Sequence, residues 1–183
     1  MSNTHPLKVL NYCPKCGSSD FKASGERSLK CNSCGFHYFI NSAAAVAALV
    51  TNEKGQLMLV TRGVEPNYGK LDLPGGFIDP LESAEQAVAR ELSEELGLEV
   101  KSMKYLGSAP NEYVFSEFTV FTLDMAFEVK AESLENLKPM DDILGYRFYS
   151  EAELDYDDIP APSIKQFVKH FFEKIRQSKN PVI

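Results

Sequence analysis

The stretch GGFIDPLESAEQAVARELSEELGL, residues 75–98, decides how this chain is interpreted. It opens with two glycines and continues into a segment of helical periodicity that carries Glu91, Glu94 and Glu95. Like charges three and four positions apart on a helix repel each other by roughly a few tenths of a kcal/mol per pair. A cation bound among the carboxylates would offset this repulsion, so the cluster indicates a metal site.

Signals at both ends delimit the predicted helix. Ser83, followed by Gln86 three residues later, forms a capping box, and Gly97 is a typical helix stop. At about 100° per residue, the three glutamates share an arc of about 100° that overlaps one edge of the apolar face. Carboxylates at the edge of a core either rise in pKa or bind a cation, and clustered oxygen ligands suit Mg²⁺ or Mn²⁺.

Length, composition and charge limit the choice of protein class. The 183 residues allow one domain, or one domain with a small appendage, and 44% hydrophobic residues suffice for a core. The net charge of −7 argues against broad nucleic-acid binding, because phosphate contacts need a basic surface. No apolar run approaches the ~20 residues that cross a bilayer, and the N-terminus does not read as a signal peptide. We therefore expect a cytoplasmic protein with neither nucleic acid nor membrane as a partner.

Four cysteines form two copies of one pattern near the N-terminus. Cys13 and Cys16 are separated by fourteen residues from Cys31 and Cys34. This spacing predicts a closed, structural site with four thiolates around Zn²⁺. The alternative, two disulfides, requires an oxidising compartment that the sequence does not indicate. We predict a zinc ribbon over residues 1–40 and a second domain over residues 41–183.

The second domain combines short strands with two substantial helices, which predicts an α+β sandwich with a mixed sheet. Strands are expected at 43–50, 56–61, 71–73, 100–107, 115–124, 125–130 and 146–149. The last helix is expected over residues 163–176, where apolar residues repeat at helical spacing along one face. That stripe predicts a packing surface rather than a cofactor site.

The glutamate-rich stretch also resembles a known family motif. Gly76, Glu82 and the run from Arg90 to Leu98 occupy the fixed positions of the Nudix box, and residues 73–77 match its usual entry. The resemblance covers roughly residues 43–155 and leaves the ribbon outside. Membership of the Nudix hydrolase superfamily implies an α/β/α sandwich. It also implies hydrolysis of nucleoside diphosphates linked to another moiety, with Mg²⁺ or Mn²⁺.

The resemblance assigns expected roles to the residues of the box. Glu94 and Glu95 are expected as metal ligands, with the Gly75 carbonyl as a further oxygen. Glu91 is expected as a metal ligand or as the base that activates water. Arg90 is expected to pair with Glu82 and to hold the helix and the loop in place.

A further carboxylate downstream of the box is common in the family. Asp142 occupies a position where relatives often carry Glu, although its side chain is shorter. Asp141 and Glu117 are the alternatives for this role.

The substrate is less clearly indicated. A four-cysteine ribbon ahead of a Nudix domain resembles the NADH pyrophosphatase branch, whose Ser-Gln-Pro-Trp-Pro-Phe-Pro stretch selects NAD(H). Here the corresponding region, residues 105–113, keeps only Ser108 and Pro110, and the chain contains no Trp. We therefore expect an ADP-ribose-like nucleoside diphosphate derivative, with NADH as the alternative and nucleoside triphosphates or other diphosphates as further candidates. Candidates for stacking on the base are Tyr68, Tyr113 and Phe115. The resemblance to the family also implies a homodimer.

A function from another class remains open at this stage. The chain could be a non-catalytic regulator that binds a nucleotide and uses the ribbon as a docking module. Proteins that have lost catalysis usually carry a broken box, and this box is complete. Catalysis is therefore the favoured interpretation.

Overall fold

The computed structural model describes residues 1–179, which form two compact units. The first unit contains Met1–Ala43 and Glu112–Phe121, and the second contains Ala44–Asn111 and the described part of Thr122–Ile183. The first unit thus differs from the predicted ribbon by including a segment from far along the chain. The division into domains at residues 40 and 41 stays a prediction.

The N-terminal part of the first unit is built from one short helix and three short strands. They are α1 (Pro6–Val9), β1 (Phe21–Ala23), β2 (Ser28–Cys31) and β3 (His37–Phe39), and the strands form an antiparallel sheet in the order β1-β2-β3. Its buried core consists of Cys13, Phe21, Leu29 and Cys31. So small a core cannot by itself offset the entropy of folding, and a metal bound by its cysteines would supply the missing stability.

The remaining elements form two three-stranded sheets and two long helices. They are β4 (Ala43–Val50), β5 (Leu57–Arg62), β6 (Leu71–Asp72), α2 (Ala84–Leu96), β7 (Val100–Phe115), β8 (Phe118–Ala131), β9 (Ile143–Tyr149) and α3 (Pro162–Lys179). One sheet has the order β4-β8-β7 and the other β6-β5-β9, in which β5 runs antiparallel to both neighbours. Within residues 1–179 no helix is both long and apolar enough to span a bilayer.

Two apolar clusters lie on opposite faces of the strands of the second unit. Val46, Ala48 and Val50 pack with the apolar face of α2. Ala47 and Leu49, which point the other way along β4, pack with the apolar face of α3. The strands β4 and β5 are buried on both faces, as their nearly continuous apolar sequences require. This is the predicted α+β fold, a mixed sheet layered between helices.

The strands after α2 are longer than predicted, and their turn lies elsewhere. The sequence predicted separate strands at 115–124 and 125–130, whereas residues 118–131 form one strand, β8. The turn is at Ser116 and Glu117, whose φ angles of 50° and 60° are those of a type I′ turn. The prediction was wrong because Ser-Glu lacks the Asn-Gly or Asp-Gly signature that marks such turns.

Candidate functional site

The helix α2 begins and ends where the sequence predicted. The Ser83 hydroxyl accepts from the Gln86 amide, and the Gln86 side chain accepts from the Ser83 amide, which completes the capping box. Gly97 ends the helix in the left-handed conformation. These two ends set the limits of the helix, and the packing of its apolar face in the core sets the direction in which its glutamates point.

Arg90 is the centre of the ionic network on this helix. Its Nε and Nη2 donate to the two carboxylate oxygens of Glu82 at 2.9 and 2.8 Å, and Nη2 also donates to the Phe77 carbonyl. Its Nη1 donates to Glu91 at 2.9 Å and to Glu94 at 3.0 Å. The hydrogen bonds from Arg90 hold the pKa of Glu82 at about 2. The ion pair expected between Arg90 and Glu82 is therefore present, and it ties the loop before α2 to the helix.

Glu95 is the buried member of the glutamate trio. Only 6% of the residue is exposed, and Oε2 accepts from the Gly75 amide at 3.0 Å. Burial raises the pKa of Glu95 to about 8, against the effect of the Gly75 amide, and the charges of Glu91, Asp72 and Asp141 add to the rise. A cation bound at this position would favour the charged form of a carboxylate that is buried among other carboxylates.

The glycine turn allows the backbone to approach both α2 and β4 closely. A Cβ on Gly75, whose φ is +143°, would lie 2.2 Å from the Val46 carbonyl oxygen. A Cβ on Gly76 would lie 2.5 Å from Oε1 of Glu91. The carbonyls of Pro74 and Gly76 both accept from β4.

The residues of this site fit a divalent cation in their chemistry. Glu91, Glu94, Glu95 and the Gly75 carbonyl would supply hard oxygen ligands, the type that Mg²⁺ and Mn²⁺ prefer. Burial also raises the pKa of Glu91, against the opposing effect of Arg90. The carboxylates do not converge as they stand, because Glu91 and Glu94 turn towards Arg90 while Glu95 turns towards Gly75. A bound cation would draw their second oxygens together.

The downstream carboxylates lie in different places. The Met140 amide donates to the Glu95 carbonyl at 2.8 Å, which holds the segment before β9 against the end of α2. The next residue, Asp141, is one of the charges that raise the pKa of Glu95. Asp142 is exposed, and its carbonyl accepts from the Gly63 amide. Glu117 lies in the β7–β8 turn, in the other unit. Of the three candidates, Asp141 is therefore the one whose charge contributes to the raised pKa of Glu95.

The aromatic candidates for base stacking are divided between the two units. Tyr68 is 57% exposed in the loop between β5 and β6. Tyr113 and Phe115 belong to the first unit, at the end of β7. A cavity of about 590 Å³ in the second unit is lined by β7, β8 and α3, and no predicted site residue lines it. Stacking therefore stays a prediction for all three side chains.

One charged pair near the site was not predicted from the sequence. Asp72 is largely buried, and it accepts from Nη1 of Arg62 at 2.9 Å. Burial raises the pKa of Asp72, with Arg62 opposing, and the charge of Asp72 in turn acts on Glu95. Nε of Arg62 also donates to the Pro66 carbonyl, so the pair fastens the loop that carries Tyr68. A single Asp in a short strand carries no signal by which this role could have been found.

The four cysteines form the second site, in the first unit. Within residues 1–179 they are the only group of three or more His, Cys, Asp or Glu side chains whose ligand atoms all lie within 4.8 Å of one another. Sγ of Cys13 lies 3.7 Å from that of Cys34, and Sγ of Cys16 lies 3.6 Å from that of Cys31. Thiolates at 2.3 Å from a tetrahedral Zn²⁺ would be about 3.8 Å apart, whereas a disulfide measures about 2.05 Å. The cysteines are free, and their geometry fits zinc.

The comparison with protein families agrees with this fold. The family model described as NUDIX domain matches residues 41–172. The chain therefore belongs to the NUDIX domain family. A crystal structure of a NUDIX hydrolase from Nitrosomonas europaea is similar over 92% of this chain and 93% of that chain, with a TM-score of 0.67 and 21% identity. The NUDIX domain of Shewanella oneidensis NrtR, solved with ADP-ribose, has a TM-score of 0.56 at 22% identity over 78% of this chain and 91% of that chain. At these identities the likeness concerns the fold alone.

Curated relatives of this chain share one name. NAD-capped RNA hydrolase NudC of Haemophilus influenzae strain PittGG is 31% identical over 123 residues, which is 66% of this chain and 46% of that protein. The NudC of Pseudomonas aeruginosa strain LESB58 is 28% identical over 162 residues, or 88% of this chain and 54% of that protein. The chain spans about half the length of the curated relatives that it matches. Because their name includes an RNA substrate, the expected absence of nucleic acid among the partners of this chain stays a prediction.

Proposed function

We propose that this chain hydrolyses a phosphoric anhydride bond in a nucleotide-derived compound, with Mg²⁺ or Mn²⁺ as cofactor. The observation that carries the proposal is the arrangement around Arg90 and Glu95. Three glutamates lie on one helix, the innermost is buried, and the arginine network and the glycine turn hold them in place. In hydrolysis, a water oxygen bonds to one phosphorus as the bridging P–O bond breaks. The products are two phosphate-bearing fragments and the released protons.

The residues of the site have separate proposed roles. Glu94 and Glu95 would hold the cation, with the Gly75 carbonyl as a further ligand. Such a cation, when bound, would neutralise diphosphate charge and lower the pKa of a coordinated water. Glu91 would either complete the ligand set or accept a proton from the attacking water at its Oε2, since Oε1 accepts from Arg90. Arg90 and Glu82 would act as positioning residues.

The proposed substrate class is a nucleoside diphosphate linked to another moiety. ADP-ribose and similar compounds remain the first expectation, because the region after the box keeps little of the NAD-selecting stretch. The second candidate is an NAD-type substrate, either NADH or NAD-capped RNA. It is supported by the cysteine ribbon together with the name that the curated relatives share. The cytoplasmic location and a homodimer belong to the same proposal.

The experiment that tests the activity is a substrate panel with Mg²⁺ or Mn²⁺. It contains ADP-ribose, NADH, an NAD-capped RNA oligomer, diadenosine polyphosphates, sugar nucleotides and nucleoside triphosphates, and it measures phosphate-monoester products. Glu94→Gln should lower kcat by about a hundredfold or more while nucleotide binding is retained. Glu85→Gln, an equal charge change at an exposed position of the same helix, should keep full activity. If no compound is turned over but one binds, the non-catalytic regulator becomes the better interpretation.

A further inference from the structure

In the first unit, Thr4 and His5 near the N-terminus contact Thr119 and Phe121 next to the β7–β8 turn, and these contacts are here called the clasp. The Thr119 amide donates to the Thr4 carbonyl at 2.8 Å, and the two threonine hydroxyls are 2.7 Å apart. The His5 ring meets the Phe121 ring edge-on, with 5.6 Å between their centroids. Thr119 is only 5% exposed although it is one residue from the start of β8. All of these residues belong to the first unit.

The contact with Thr4 occupies the edge of β8 that faces away from β7 at Thr119. In a two-residue hairpin the first residue after the turn, Phe118, pairs with the last residue before it, Phe115. Successive residues point their amides to opposite sides, so the Thr119 amide faces away from β7. The Thr4 carbonyl therefore pairs with that edge as a short extra strand would, and the Thr4 hydroxyl contacts the side chain of Thr119.

The clasp continues directly into the core around the cysteines. Nδ1 of His5 accepts from the Leu7 amide and caps α1. Leu7 and Leu10, on either side of the end of α1, pack against the cluster that contains Cys13 and Cys31. A helix of four residues has no stability of its own, so α1 keeps its place only through this packing.

We propose that the metal-dependent fold of the ribbon fastens the β7–β8 turn through Thr4 and His5, so that occupancy of the four-cysteine site controls the order of residues 112–121. Without the metal, two of the four buried core residues are unliganded thiols, and the core cannot hold α1. The N-terminal residues then leave the Thr119 edge. The proposal assigns the ribbon a role in shaping this hairpin, and it holds whether or not the chain is a hydrolase.

Hydrogen–deuterium exchange on the full chain tests the proposal. The zinc-loaded protein is compared with protein from which zinc has been removed by a thiol-competing chelator. The Thr119 amide and its neighbours in 112–121 should exchange at least about tenfold faster without zinc. Amides of β4, such as that of Ala48, serve as the internal reference. Faster exchange in residues 21–39 with unchanged protection in 112–121 would overturn the proposal.

A variant separates the clasp from a general loss of the ribbon fold. Thr4→Val combined with His5→Ala removes the hydroxyl bond, the ring contact and the helix cap while all four cysteines remain. With zinc bound, this variant should lose protection in 112–121 and keep it in 21–39. Glu26→Gln, on the exposed surface of the same unit and away from both cysteine pairs, is the control and should change neither segment. Unchanged protection of 112–121 in the double variant would contradict the inferred role of Thr4 and His5.

Reciprocal coupling supplies a third readout that does not involve exchange or activity. If zinc stabilises the clasp, the clasp must stabilise zinc binding by the same factor. In a competition titration against a chromogenic chelator, the double variant should therefore bind zinc more weakly than Glu26→Gln. Equal zinc affinities for the two variants would show that the site and the hairpin are independent.

Discussion

Replacing Glu95 by Gln should stabilise the cation-free protein while removing its metal-dependent activity. The pKa of Glu95 is raised to about 8 from an ordinary value of 4.5. Between these two pH values the unfolded chain releases the proton while the folded chain retains it. Stability of the cation-free protein should therefore fall as pH rises through this window, by about 1.4 kcal/mol per pH unit, and level off above pH 8. Glutamine keeps the shape and the bond from the Gly75 amide, and it carries no charge.

The size of the effect follows from the same pKa. At pH 7 the raised pKa of Glu95 lowers the free energy of unfolding of the cation-free protein by about 3 kcal/mol, and Glu95→Gln should regain most of this stability. For a chain of this length, that corresponds to a rise of roughly 6 to 12 °C in Tm. Near pH 4.5 the two proteins should have almost equal stability, because the carboxyl is then neutral in the folded protein and only partly ionised in the unfolded one.

Denaturation followed by circular dichroism at pH 5, 6, 7 and 8 measures this difference. Dialysis without added divalent cation leaves the cysteine site loaded and the glutamate site free. Adding Mg²⁺ or Mn²⁺ should then raise the Tm of the wild type and leave that of Glu95→Gln unchanged. Glu85→Gln is the matched control, with no pH-dependent gain. A variant less stable than the wild type at pH 7, or one that keeps the wild-type pH slope, would refute the reasoning.

Two further substitutions test the parts that hold the glutamates. Arg90→Met leaves Glu82, Glu91 and Glu94 without their shared partner. Chemical denaturation should show that the free energy of unfolding falls by about 2 to 4 kcal/mol. The same variant should lower kcat by about a hundredfold. Gly75→Ala places a Cβ against the Val46 carbonyl at a φ unsuited to alanine, and it should cost about 3 kcal/mol or more. The matched Gly145→Ala meets no atom within 4 Å and should be nearly neutral in the same unfolding assay. Wild-type stability in either test variant would contradict the geometry.

The sequence by itself determined the features that depend on neighbours along the chain. The limits of α2 follow from Ser83 and Gly97, because capping involves residues within one helical turn. The grouping of the three glutamates with Arg90 follows from helical spacing, and so does the greater burial of Glu95 compared with Glu94. The four-cysteine cluster was predictable for the same reason, since each pair of ligands lies within one tight turn.

Only the tertiary structure decided which distant groups meet these local motifs. It brought Gly75 to Glu95, Asp72 to Arg62, and Asp141 into electrostatic range of the site. It also joined Thr4 to Thr119, which are 115 positions apart, and so placed the β7–β8 turn in the ribbon unit. Periodicity and spacing describe contacts within a helix or a turn. Contacts between distant segments depend on how strands pair and on which backbone edges remain open, and single residues such as Asp72 and Thr119 carry no local signal of either.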